Sequence, residues 1–139
     1  MNRSIQEKND SGFRSDHATR VVQMTLREVA DLLEAEVISG EDGLDEPVEF
    51  AGASDLMSDV LAFGKPGVLL LTGLASLQSV RTAEIIDAKA IVYVRGKRPS
   101  NEGLARARER RMPILSTKMF MFKACGLLHG RGVPDVGSR

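Results

Sequence analysis

The sequence predicts an α/β fold, a three-layer sandwich of helices around a short, mainly parallel β-sheet. The spacing of its apolar residues alternates between about 2 and about 3.6 residues, as strands alternate with helices. Two apolar runs, residues 68–71 and 90–94, are continuous and bounded by turns, which indicates strands covered on both faces. Three strand–helix units follow one another, and such units pair their strands in parallel through right-handed crossovers.

Five strands and five helices are predicted in alternation. The strands are apolar runs between turn residues, at residues 37–38, 48–53, 68–71, 90–94 and 113–115. The helices begin at hydroxyl residues that can accept hydrogen bonds from a first helical turn, namely Thr25, Ser54, Ser76, Ser100 and Thr117. Glu28 gives the first of them the spacing of a capping box, which predicts a helix over residues 26–35. In the third helix, Ile85 and Ile86 are both predicted to face the core.

The chain has 139 residues, 42% of them hydrophobic, which suits one folded domain. Residues 1–20 are rich in Asn, Ser, Asp, Lys and Arg, and are predicted to be a disordered tail. Glycines and a proline follow position 130, so residues 130–139 are predicted to be a flexible tail that adds little to the core. The folded domain is therefore predicted to span residues 21–129.

The composition argues against several classes of protein. Lys and Arg together number 19, as do Asp and Glu, whereas a nucleic-acid binder usually carries a strong basic excess. The single cysteine, Cys125, cannot form an internal disulfide, and no secretory leader is recognisable, so a cytoplasmic location is expected. The longest apolar runs are far shorter than the roughly 20 residues that span a bilayer, so no membrane partner is expected.

Polar turns are predicted to meet at one edge of the sheet. Ligands of open parallel sheets bind outside the carboxyl ends of the strands, where loops and helix N-termini converge. The residues predicted to bind a ligand there are Ser54, Asp55, Thr72, Gly73, Arg95, Lys97, Arg98, Ser116 and Thr117. Hydroxyls, a glycine and cations at one rim suit a phosphate-bearing small molecule such as a nucleotide. The alternative for each residue is a structural role as a helix cap, a turn or a solvated charge.

Patterns for catalysis and for metal binding are missing. Neither of the glycine-rich phosphate-binding strings, GxxxxGK[ST] and GxGxxG, occurs. His17 falls in the predicted tail and His129 at a helix end, so neither is paired with Cys125, which is interpreted as a small core residue. No zinc-ligand spacing occurs, and neither a metal nor a cofactor is expected. Asp55 and Asp59 could share a helix face toward a substrate or cation, or form an acidic start that complements the helix dipole.

Charge is distributed unevenly along the chain. Acidic residues concentrate between positions 28 and 49, and basic residues between positions 95 and 111. One segment could dock onto the opposite segment of a second copy, or both could be solvated faces. The basic segment by itself leaves nucleic acid as a weaker alternative.

The sequence also resembles a known family, the DRTGG domain. The similarity is carried by residues 25–30, 40–44, 53–59, 69–73, 90–99 and 113–117. The last two stretches also resemble the related N-terminal domain of HPr kinase/phosphorylase. Leu74 and Ala75 stand where the Asp-Arg pair of the family is expected, and Arg95, Gly96 and Lys97 where Thr-Gly-Gly is expected.

The resemblance implies a compact α/β domain like the N-terminal domain of HPr kinase/phosphorylase, with a regulatory and often dimer-forming role. Such domains are usually fused to nucleotide-sensing CBS domains or to phosphotransacetylases. Nothing in the chain corresponds to a kinase domain, so kinase activity is not expected. The leading hypothesis is a non-catalytic, homodimeric regulatory module that binds a small anion or a regulatory protein partner. The alternatives are a structural protein-interaction domain and a small acyl or phosphoryl transferase, the last without a recognisable nucleophile and base.

Overall fold

Five strands form one sheet in the computed structural model, which describes residues 23–138. They are β1 (Glu36–Ser39), β2 (Ala51–Ala53), β3 (Leu69–Thr72), β4 (Ala90–Tyr93) and β5 (Ile114–Ser116). Their order across the sheet is β1-β5-β4-β3-β2. Strands β2 to β5 are parallel, and β1 pairs with β5 in the antiparallel direction. The mainly parallel sheet predicted from the strand–helix repeats is confirmed, whereas the predicted tail over residues 1–20 lies outside the described residues.

Helices cover both faces of this sheet. They are α1 (Leu26–Leu32), α2 (Met57–Phe63), α3 (Leu77–Ile85), α4 (Asn101–Glu109) and α5 (Met121–Gly130). Helices α1 and α5 pack on one face, and α2, α3 and α4 pack on the other. The predicted three-layer sandwich is confirmed. Among the helices of residues 23–138, none is both long and apolar enough to cross a membrane.

Strand β3 shows how the sequence builds the two cores. Successive side chains of a strand point to opposite faces of the sheet. Leu69 and Leu71 accordingly pack beneath α1 and α5, and Leu70 packs beneath α2, α3 and α4. All three leucines are buried. A strand that buries both faces needs apolar residues at every position. The continuous apolar run at residues 68–71 therefore predicted this strand.

Two of the predicted helix caps are present as expected. At α1, Thr25 Oγ1 accepts the Glu28 N–H at 3.2 Å, and Glu28 Oε1 accepts the Thr25 N–H at 2.9 Å. At α4, Ser100 Oγ accepts the Gly103 N–H at 3.0 Å. Ser76 is the N-cap residue of α3, but its hydroxyl makes no capping hydrogen bond. Helices α1 and α4 therefore begin where their side-chain chemistry predicts.

Two other predicted caps are wrong. Ser54 does not cap α2, because its hydroxyl accepts the Leu56 N–H at 3.0 Å and so shapes the turn before the helix. Thr117 does not cap α5, because its buried hydroxyl donates to the Leu33 carbonyl at 2.6 Å. Helix α5 instead begins at Met121. Both hydroxyls hold turns at the edge of the sheet rather than helix ends.

The prediction that Ile85 and Ile86 both face the core is wrong for Ile85. Ile86 is buried, whereas Ile85 is exposed at the end of α3. Neighbouring residues of a helix point about 100° apart, so the narrow buried side of a surface helix accommodates one of them.

The segment after α5 contributes more to the fold than the sequence analysis predicted. Val133 and Val136 are buried, one in each core, so the prediction that residues 130–139 add little to a core is wrong for these two. The Pro134 carbonyl accepts the Ala51 N–H at 3.0 Å. Strand β2 is an edge strand whose outer backbone groups need partners, and this segment supplies one.

Candidate functional site

Three turns meet at the carboxyl ends of β2, β3 and β4. Asp55 Oδ1 accepts the Gly73 N–H at 2.5 Å and the Thr72 hydroxyl at 3.5 Å. The second carboxylate oxygen, Oδ2, lies 3.8 Å from the Arg95 guanidinium. We call Asp55, Thr72, Gly73 and Arg95 the Asp55 cluster. In it, two hydrogen-bond donors and a guanidinium from two strand ends converge on one negatively charged group.

Gly73 allows the Arg95 side chain to lie close to the backbone. A Cβ atom at this position would overlap the Arg95 guanidinium and would lie 3.1 Å from Asp55 Oδ1. The buried Thr72 hydroxyl also accepts the Leu74 N–H at 3.1 Å, which fixes the turn that follows β3. The Gly73 N–H is therefore presented to the cluster by a rigid turn with no side chain over it.

Arg95 is held in place through its backbone. Arg95 and Gly96 have φ angles of 60° and 70°, and the Lys97 N–H donates to the Val94 carbonyl at 3.1 Å, as in a type I′ turn. The Arg95 N–H donates to the Met119 carbonyl at 2.8 Å, which ties this turn to the loop before α5. The backbone is thus anchored while the guanidinium remains partly exposed.

Three other predicted residues, Arg98, Ser116 and Thr117, line a separate polar cleft of about 370 Å³, between the end of α1 and the turns after β4 and β5. Arg98 forms two hydrogen bonds there with the Glu36 carboxylate, at 2.6 and 3.5 Å. Lys118 lines the same cleft, and Lys97 is exposed in the neighbouring turn. Within the described part of the chain, neither lysine forms an ion pair. The ammonium groups of both lysines therefore remain available to a ligand.

Ser116 and Thr117 face the same cleft, but the structure uses their hydroxyls internally. The Ser116 hydroxyl donates to the Lys97 carbonyl at 2.6 Å, and the Thr117 hydroxyl is bonded to Leu33. Thr117 Oγ1 also accepts the Met119 N–H at 3.1 Å. All nine predicted residues thus lie at the carboxyl edge, where four form the Asp55 cluster and three, Ser54, Ser116 and Thr117, hold turns.

A second cleft, of about 230 Å³, lies between β2, α5 and residues 133–135. Cys125, His129 and Asp135 all line it, which the sequence analysis did not foresee. Among residues 23–138, no hydrogen bond joins the Cys125 thiol to His129, and the Asp135 carboxylate accepts the Gly137 N–H at 2.9 Å. Burial raises the pKa of the Cys125 thiol, so the neutral thiol predominates at neutral pH. The arrangement gives no activated nucleophile.

The interpretation of Asp55 and Asp59 as neighbours on one helix face is wrong. Helix α2 begins at Met57, so Asp55 precedes it, and its carboxylate points to Gly73. Within residues 23–138, no group of three His, Cys, Asp or Glu side chains is placed to hold a metal ion.

A buried polar pair, which no sequence motif predicted, joins β4 to α3. The hydroxyl of Tyr93, at the end of β4, lies 2.7 Å from Ser79 Oγ of α3. Burial raises the pKa of Tyr93 more than the hydrogen bond to Ser79 lowers it, so the phenol is neutral. The one signal in the sequence is a tyrosine within an otherwise apolar run. The pair joins α3 to the end of β4, two residues before Arg95.

The acidic and basic segments partly neutralise each other within the chain. The Arg98 guanidinium of the basic segment lies 2.6 Å from a carboxylate oxygen of Glu36 in the acidic segment. One contact of the kind that could join two copies is therefore made within a single copy.

The fold and the site define a small α/β domain with polar turns at the carboxyl edge of its sheet. No family profile and no curated protein sequence matches the chain. Among solved structures, it is similar to the CBS and DRTGG domains of the regulatory region of Clostridium perfringens pyrophosphatase, complexed with the activator diadenosine tetraphosphate. The TM-score is 0.64 at 16% sequence identity, over 76% of this chain and 46% of that chain. The chain therefore spans less than half the length of that structure, and the likeness is one of fold.

Proposed function

We propose that this chain is a non-catalytic regulatory module, related to the DRTGG domain, that binds a small phosphate-bearing anion at the carboxyl edge of its sheet. The Asp55 cluster is the observation that carries the proposal. A backbone N–H, a hydroxyl and a guanidinium converge there on one carboxylate, and these are the donors that proteins use to bind phosphate oxygens. The exposed Lys97 and Lys118 add positive charge at the same edge.

Two further observations support this function. The similar pyrophosphatase region is regulatory and was solved with a nucleotide activator, which makes an adenine nucleotide the first ligand to test. The Cys125 thiol is kept neutral and unbonded to His129, which disfavours the alternative of an acyl or phosphoryl transferase with a cysteine nucleophile. The cytoplasmic location of the protein and the domain boundary at residue 20 remain predictions from the sequence.

Diadenosine tetraphosphate is expected to raise the melting temperature of the protein in a thermal-shift assay. The Arg95→Ala variant is expected to bind roughly tenfold more weakly, because it loses a charged hydrogen-bond donor. Arg108→Ala is the matched control, because this exposed arginine of α4 carries the same charge and lies outside the Asp55 cluster. An unchanged melting curve with diadenosine tetraphosphate, ATP and AMP would contradict the proposal.

A second candidate function is self-association, and it rests on exposed aromatic residues. Phe120 and Phe122, at the start of α5, are 69% and 92% exposed. Gly126 and Gly130 follow Phe122 at intervals of four residues, and a Cβ atom at either glycine would meet nothing within 4 Å. Two antiparallel α5 helices that cross at Gly126 would place Phe122 of one copy in the notch at Gly130 of the other. We propose this self-complementary face as the homodimer contact.

Light scattering tests the homodimer. The wild-type protein is expected to have twice the 15.1 kDa mass of one chain, and Phe122→Ser is expected to be a monomer, because it removes the largest exposed apolar side chain of the face. Leu61→Ser, a comparable change on α2 outside that face, is expected to leave the dimer intact. A wild-type protein that is monomeric at every concentration tested would exclude this contact.

A further inference from the structure

We propose that the Asp55 carboxylate is an internal competitor, which occupies the oxyanion position of the cluster until an external phosphate group displaces it. This inference rests on the proposed function and concerns how the same site is regulated. In the closed arrangement, Asp55 blocks the site. In the open arrangement, its side chain points to solvent, and Thr72, Gly73 and Arg95 face the ligand.

The hydrogen bonds of the cluster make the two anions mutually exclusive. The Gly73 N–H has one hydrogen to donate, and Asp55 Oδ1 already accepts it at 2.5 Å. The Thr72 hydroxyl likewise has one hydrogen, directed to the same oxygen. A carboxylate and a phosphate accept such bonds through the same kind of charged oxygen. An external oxyanion can therefore reach these donors only when Asp55 leaves.

The exposure of the two charged side chains allows this exchange. The Asp55 side chain is 57% exposed and the Arg95 side chain is 39% exposed. Ion pairs so open to water contribute little to stability, so their separation does not threaten the fold. The Ser54 N–H donates to the Leu71 carbonyl at 3.1 Å, which holds the backbone of the turn while the Asp55 side chain rotates. Rotation of one side chain is enough to open the site.

The tethered carboxylate also selects among ligands. Because Asp55 is attached beside its donors, its effective concentration at the site is high, and a weakly held monoanion cannot displace it. A phosphate dianion, or a polyphosphate chain with one charge on each of several neighbouring phosphates, attracts Arg95 more strongly than the single charge of Asp55 does. The site therefore discriminates in favour of phosphate monoesters and polyphosphates over monoanions such as chloride and acetate.

Calorimetric titration of Asp55 variants tests the inference. Asp55→Asn keeps an acceptor for the Gly73 N–H but loses the charge, and Asp55→Ala removes the competitor. Both are expected to bind diadenosine tetraphosphate and inorganic phosphate at least about fivefold more tightly than the wild type, with alanine the tighter, because the closed state no longer reduces the apparent affinity. Asp59→Asn is the matched control, since it makes the same charge change on the exposed surface of α2 and is expected to alter affinity little.

The outcomes separate this inference from the proposed function. If the wild type binds the anions and both Asp55 variants bind them equally or more weakly, Asp55 is a ligand contact or a spectator and the inference is wrong, while the proposed function stands. If neither the wild type nor any variant binds either anion, both proposals fail. A melting temperature measured for each variant without ligand confirms that the comparison is between folded proteins.

Discussion

Replacement of Gly40 by alanine is expected to lower the free energy of unfolding by about 3 kcal/mol or more. Gly40 follows β1 with a φ of +80°, a conformation that side-chain-bearing residues adopt at a cost. A Cβ atom there would also overlap the backbone of Pro113, just before β5. The Pro113 carbonyl accepts the Ile91 N–H at 3.1 Å, so Pro113 cannot move away without disturbing the pairing of β4 with β5. Urea unfolding of the variant measures the loss.

Gly67→Ala is the control for the backbone effect alone. Gly67 has a φ of +90°, but a Cβ atom there would meet nothing within 4 Å. Its substitution is therefore expected to lower the free energy of unfolding by about 1–2 kcal/mol. If both substitutions lowered the free energy of unfolding equally, Gly40 would not approach Pro113 as closely as the structure has it.

Leu70→Ala and Leu71→Ala are each expected to lower the free energy of unfolding by about 2–5 kcal/mol. The two leucines are neighbours in β3, yet each is buried in a different core, one on either face of the sheet. Each substitution removes apolar atoms and leaves a cavity, because the helical layer that covers that side chain cannot collapse fully onto the smaller one. Chemical denaturation of both variants measures the two losses.

Leu61→Ala provides the reference for a leucine at the surface. Leu61 is 49% exposed on α2, so its truncation is expected to change the free energy of unfolding by less than about 1 kcal/mol. If one of the two β3 variants were as mild as Leu61→Ala, one face of the sheet would lack its helical layer. The three-layer arrangement would then be wrong.

The pattern of strands and helices could be predicted from the sequence because the buried faces of each element determine the spacing of apolar residues along it. Residues 68–71 and 90–94 read as strands since both of their faces are buried, and Thr25 with Glu28 specified a helix start by short-range hydrogen bonds. The errors arose where a distant group decided the outcome. The Thr117 hydroxyl bonds to Leu33, 84 residues away in the sequence, and no local pattern distinguishes that bond from a helix cap.

The candidate site could be predicted in its location but not in its internal pairing. The rule for parallel sheets placed the polar turns at one edge, where the structure has them. The pairing of Asp55 depended on where α2 begins. A start at Asp55 would place its side chain on the helix, whereas the observed start at Met57 leaves it free to face Gly73 and Arg95. The apolar pattern could not fix this start to within a few residues. The same uncertainty applies to α5, which was predicted to begin at Thr117 and begins at Met121.

A titration of isotopically labelled protein with diadenosine tetraphosphate, followed by amide NMR resonances, tests the binding proposal most directly. Saturable shifts are expected at Gly73 and Lys97, with Gly67 at the opposite edge of the sheet unchanged. Resonances that stay fixed at Gly73 and Lys97, or that move instead around Cys125, would contradict an anion site at the carboxyl edge.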